Sequence, residues 1–124
     1  MITLKTLQEA TAQQVFNQVT SHLLKQNNRS VGPTIDGVES CMYLSNDGLK
    51  CSAGCLIGDD EYYKNLEGKT WLQLVEMSAV PEYHIPLIIQ LQNVHDGFTP
   101  DMWVENLKNT AKEYGLEFNF GGEK

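Results

Sequence analysis

Two capping boxes frame the chain. Thr11 with Gln14, and Thr70 with Gln73, repeat the pattern in which a hydroxyl takes an orphan helix N–H and a glutamine three residues on reaches back. Behind Thr11, Val15, Phe16, Val19 and Leu23 recur at three- and four-residue spacing, and Leu24 widens the apolar stripe. The pattern predicts a helix over Ala12–Gln26. Behind Thr70 it predicts one over Trp71–Ala79, with Pro81 just past its end. Two further helices are marked by proline and glycine. Pro86 sits where a first turn tolerates a missing N–H. Leu87, Ile88, Leu91, Val94 and His95 then define an apolar face running up to Gly97. Thr99-Pro100-Asp101 opens the last helix, Trp103, Leu107, Ala111 and Tyr114 line it, and Gly115 stops it.

The stretches between helices read differently. Residues 27–39 form a connector broken by Asn, Gly and Pro. Cys41–Leu44 suits a strand, Asn46-Asp47-Gly48 a hairpin turn, and Leu49–Cys51 the returning strand. That hairpin would set Cys41 across from Cys51. The small residues of Ser52–Ile57 suggest a short helix packed on the hairpin, ended by Gly58 and the acidic run Asp59–Glu61. Tyr62, Tyr63 and Leu66 lie in a loop that closes at Gly68. Leu116, Phe118 and Phe120 alternate, as an edge strand would. The expected fold is a mainly helical α+β single domain over residues 1–124, with a short antiparallel β-hairpin or small sheet.

At 124 residues, 41% hydrophobic and 20% charged, the chain carries an ordinary globular balance. A net charge of -7 with nine scattered Lys and Arg disfavours nucleic acid, whose phosphates call for a basic face. No apolar run is long enough for a membrane span, and MITLKTLQEATAQQ has no secretory core. Three cysteines make no disulfide framework, which points to free thiols and a cytoplasmic setting.

Chemistry has few candidate places. Three thiols with His95 could supply four zinc ligands, but the C-x-x-C pairs usual in such sites are absent, and packing is the simpler role. Cys51 lies before a short helix and beside Lys50, the surroundings that activate a thiol, with His22, His84 or His95 as base. His22 and His95 fall on apolar helix faces, however, and His84 falls in a Pro-flanked connector. The strand-to-helix junction at Gly54 could hold an anion, although it lacks both glycine-rich phosphate fingerprints. Asp59, Asp60 and Glu61 lack calcium-loop spacing and read as a solvated loop. One of Tyr62 and Tyr63 is available to a partner. The candidate ligand or partner surface is therefore Cys51, Gly54, Asp59, Asp60, Tyr62, His95 and Asp96, with no catalytic residue, metal or cofactor assigned. Gly54 should be tightly packed, Cys51 and Cys55 mostly buried, and Asp59–Glu61 exposed.

The segment KCSAGCLIGDDEYY, Lys50–Tyr63, resembles a motif of small uncharacterised bacterial, prophage and phage proteins, K-C-x-x-G-C-L-I-x-D-x-x-Y. His22-Leu23-Leu24-Lys25-Gln26 and Leu91-Gln92-Asn93-Val94-His95-Asp96 match flanking features of the same plan, so the resemblance covers about residues 11–115. It implies a cytosolic accessory protein encoded on a mobile element and carries no activity with it. The expected function is a non-enzymatic binding module acting on a host protein or a small ligand. The alternative is a small enzyme or nucleotide- or anion-binding protein using the Cys51–Asp60 junction with His95 and Asp96. A self-associating structural protein is a third reading.

Overall fold

The computed structural model describes residues 1–33 and 39–120. It is a mainly helical α+β arrangement of four α-helices, α1 Ala12–Gln26, α2 Trp71–Glu76, α3 Ile85–Gly97 and α4 Trp103–Glu113, with a two-stranded antiparallel sheet of β1 Val31–Pro33 and β2 Glu39–Cys41. Both capping boxes form: Thr11 and Thr70 accept from the N–H of Gln14 and Gln73, whose side chains accept in return. Asn27 ends α1 in the left-handed region at φ 50°, its N–H donating to Leu23. Helix α2 stops three residues short of expectation, because the chain turns at Ser78, φ 60°. The last helix opens as a single 3-10 turn, Pro100–Met102, before α4, and Gly115 at φ 67° closes it.

Helices α1, α3 and α4 pack on one another around Phe16, Val19, Leu23, Ile88, Leu91, Trp103 and Leu107, all buried. Helix α2 docks on α3 through Trp71 and Leu74, and the Gly54–Leu56 turn rests on α1. None of the described helices is long and apolar enough to cross a membrane.

The sheet lies elsewhere than expected. Val31–Pro33, inside the predicted connector, pairs with Glu39–Cys41 in the register Val31↔Cys41, Gly32↔Ser40, Pro33↔Glu39. Gly and Pro read as breakers, yet a short edge strand tolerates both because Pro33 sits at its end, where it owes no ladder N–H. Cys41 thus faces Val31 rather than Cys51. The predicted hairpin shrinks to one bridge, Leu44↔Lys50, around a turn in which Gly48 takes φ 87°. The Ser45 N–H still donates to the Leu49 carbonyl at 2.8 Å, but side chains claim much of the remaining backbone: Ser30 Oγ lies 2.7 and 3.0 Å from the carbonyls of Met42 and Leu49, and Gln26 bonds both the N–H and the C=O of Lys50.

The tail forms no strand as far as Phe120. Gln13 takes the place of a neighbouring strand, giving to the Glu117 carbonyl and accepting from its N–H at 3.0 and 2.9 Å. Phe118 then packs edge-on against Phe16, with centroids 6.3 Å apart. Residues 34–38 of the connector and 121–124 of the tail lie outside the described residues.

Candidate functional site

The Ser52–Leu56 segment is the joint between the sheet side and the helices. Ser52 Oγ donates to the Leu91 carbonyl at 2.7 Å, and the Ala53 N–H donates to Gln92 Oε1 at 2.9 Å. Gly54 is pressed onto the Tyr43 peptide so closely that an added Cβ would stand 2.1 Å from the Tyr43 oxygen. Seating that segment against α3 leaves a cleft of about 500 Å³ beside it.

Among the described residues, four pieces of chain wall the cleft. Ser40, Cys41, Met42 and Tyr43 come from β2 and its continuation, and Cys51 comes from the joint. Gly68–Leu72 contributes a second side, and α3 contributes Ile89, Gln92, Asn93 and Asp96. These four α3 residues are spaced i, i+3, i+4, i+7, so they form one face, adjacent to the core face of Leu87, Ile88, Leu91, Val94 and His95. Met42, Tyr43, Trp71, Leu72 and Ile89 make much of the lining apolar. Trp71 also brings a buried indole N–H with no acceptor among the described residues, and such a group calls for an explanation.

The polar end of the cleft is a fixed chain of hydrogen bonds. The buried Ser30 N–H donates to His95 Nε2 at 2.9 Å. A neutral imidazole carries one proton, so with Nε2 accepting, the proton is on Nδ1 and is given to Asp96 Oδ1 at 2.7 Å. Gln92 Nε2 donates to the same oxygen at 2.8 Å. Stacking on Trp103, with centroids 5.7 Å apart, holds the His95 ring from the other side. Among the described residues no N–H reaches Asp96 Oδ2. The Arg29 guanidinium touches the Asp96 peptide oxygen at 3.1 Å and Cys41 Sγ at 3.5 Å.

Cys41, His95 and Asp96 bring three potential ligand atoms within 4.8 Å of one another. The donor set does not fit an ion. Both lone-pair positions of His95 are spent, one on the Ser30 N–H and one as the Nδ1–H itself, so the ring has no lone pair to offer. The thiols are likewise quiet. Burial, and next the Asp96 carboxylate, push Cys41 up from 9.0 to about 11, against the opposing pull of Arg29. Burial alone dominates the rise of Cys51, whose sulfur accepts from the Gly54 N–H at 3.3 Å. Cys55 rises to about 12, again through burial, and its thiol donates to the Ser52 carbonyl.

The expected surface is therefore divided. Cys51 and Asp96 meet in the cleft, with His95 buried behind Asp96. Cys55 lies in a separate groove with His22 and Lys50. Gly54 is a packing residue. Asp59 and Asp60 are exposed and pair with Lys50 and Lys5 at 3.2 and 3.3 Å. Tyr62 is half-buried, its hydroxyl donating to Glu67 at 2.7 Å. Glu61, expected to be solvated with its neighbours, instead turns inward. Its carboxylate accepts from the N–H groups of Gly58, Leu4 and Lys5, so it staples the N-terminal arm to the acidic loop. His84, expected in a solvated connector, bonds the Ala10 carbonyl at 2.7 Å.

Sequence reasoning missed Met42, Tyr43, Lys69, Trp71, Ile89, Gln92 and Asn93 as cleft residues. The Ile89–Gln92–Asn93–Asp96 spacing was the available signal, but a polar helix face reads first as solvent-facing. The chain matches no family model, no curated protein and no solved structure.

Proposed function

We propose that this protein is a small binding module that captures a small-molecule ligand in the cleft between Ser40–Tyr43, Gly68–Leu72 and α3. One observation carries the reading: the cleft is concave, largely apolar, and closed at one end by a few polar groups already fixed in place, which is the usual make-up of a ligand site. The raised thiols and the spent nitrogens of His95 favour non-covalent capture over Cys/His catalysis. The likeness of Lys50–Tyr63 to phage and prophage proteins, and three free thiols, complete the proposal as a cytoplasmic, mobile-element-encoded accessory factor.

The test is a saturation-transfer NMR screen of a fragment library against the wild type and Asn93→Trp. Asn93 is exposed at the cleft, so an indole there fills the mouth without entering the core. Fragments should bind the wild type and be lost from the variant. Hits that bind both proteins equally, or no hits at all, would remove the cleft from consideration.

A further inference from the structure

We propose that the cleft selects a small organic ammonium, a primary amine on an apolar or aromatic body, and that the Asp96 carboxylate anchors its charge. The inference deepens the small-molecule reading and rests on it. Asp96 is the one carboxylate among the described residues that line the cleft. Its side chain is 40% exposed, yet His95, at 0%, is committed to orienting it. A solvated aspartate needs no such support. Here a buried ring is fixed by the Ser30 N–H and by Trp103, and its remaining N–H goes to Asp96 Oδ1. Gln92, itself fixed by the Ala53 N–H, donates to that same oxygen. Oδ1 is held from behind by two N–H donors, and among the described residues the weak Cys41 thiol is the other donor to this carboxylate, so lone pairs remain for a stronger donor from outside and the ordering of the carboxylate precedes ligand arrival.

The overall charge favours a cation, and the two local cations, Lys69 and Arg29, which oppose one, are already held by other acceptors. The chain carries a net -7, which favours positively charged ligands. Lys69, the cationic residue of the lining, stands on the Gly68–Leu72 wall and gives its Nζ to the Asn65 carbonyl at 2.7 Å. Arg29 lies against the Asp96 peptide oxygen and the Cys41 sulfur. Tyr43 and Trp71 are buried beneath the wall, and the more accessible Met42, Leu72 and Ile89 offer the apolar surface that suits the body of such an amine. Atoms of the ligand stay intact, because the thiols among the described lining residues are held protonated by burial and the His95 ring is buried behind Asp96.

The experiment uses three probes on one phenethyl body, the isosteric pair phenethylamine and phenethyl alcohol and the anion hydrocinnamate, titrated into the ¹⁵N-labelled protein at low ionic strength. The wild type should bind the amine at least about tenfold more tightly than the alcohol, as a charge-assisted hydrogen bond predicts. Added salt should narrow that ratio. Asp96→Asn still accepts from His95 and Gln92 through its amide oxygen, so it should fold and bind amine and alcohol alike. Asn93→Trp should lose both. An amine no tighter than the alcohol, or hydrocinnamate binding tightest, overturns the ammonium assignment while leaving the cleft as a ligand site. If no probe binds saturably, or if binding is indifferent to Asn93→Trp, the cleft reading fails with it. The wild-type ratio and its salt dependence decide the matter even if Asp96→Asn is poorly folded.

Discussion

Gly54→Ala should be among the most damaging single-methyl changes available in this protein. The added Cβ would stand 2.1 Å from the Tyr43 oxygen, 2.9 Å from its carbonyl carbon and 3.1 Å from its Cα. All three are backbone atoms, so no side chain can rotate away. Relief requires the Tyr43 peptide to retreat by more than about 1 Å to reach ordinary contact distance, in an interior packed as densely as a crystal. That peptide is not free to move. The Tyr43 N–H donates to Glu67 at 3.0 Å, its hydroxyl donates to the Lys69 carbonyl at 2.6 Å, and its ring packs on Trp71. Overpacking usually costs about 1–3 kcal/mol, and a clash confined to backbone belongs at or above the upper end, so we expect about 3–4 kcal/mol. For a domain of this size that lowers Tm by roughly 10–15 °C. Thermal and urea unfolding read the change directly. Gly97→Ala is the control, because nothing lies within 4 Å of a Cβ at the end of α3. It should be neutral or stabilising by a few tenths of a kcal/mol up to about 1. If Gly54→Ala falls within about 0.5 kcal/mol of the wild type, the joint is not packed as described.

Other outcomes follow from the same contacts. The Glu67 carboxylate accepts from the N–H groups of Tyr43 and Leu44 and from the Tyr62 hydroxyl, so Glu67→Ala should cost about 2–4 kcal/mol in urea unfolding, and Glu67→Gln less. Removing a cap by Thr11→Ala or Thr70→Ala should cost about 1 kcal/mol each. Stability should decline at both pH extremes. The folded thiols sit above their ordinary 9.0, so unfolding releases protons and stability falls as pH rises from about 9 through the folded values. His22 lies below its ordinary 6.5, chiefly through burial, so its contribution is complete above that value and is lost as pH falls below it. A flat denaturation midpoint from pH 5 to pH 10 would contradict both assignments. Iodoacetamide at pH 8 should label Cys41 far more slowly than a free cysteine, with a rate that climbs with pH toward about 11.

The helices were legible because their signals are local. Each capping box needs four residues, and the apolar stripe of α1 is read without knowing what it packs against. Gly54 was legible for a related reason: small residues between a strand and a turn signal close approach. The sheet was not legible, because β1 is three residues of Val-Gly-Pro that only a distant partner makes into a strand. The roles of Glu61 and Glu67 were not legible because an acidic side chain in a loop has the same sequence signature whether it meets water or three donors of the protein. The cleft was half legible. His95 and Asp96 stood out as chemistry-bearing neighbours, but the Ser30 N–H that fixes the His95 proton lies 65 residues away along the chain. No spacing rule connects the two.

The most direct measurement for the central claim is amide chemical-shift mapping of the ¹⁵N-labelled protein with the tightest-binding fragment. The account predicts saturable shifts concentrated at Met42, Tyr43, Lys69–Leu72, Ile89, Gln92, Asn93 and Asp96, with the groove around His22 and Lys25 unmoved. Shifts centred on that groove, or scattered without saturation, would contradict it.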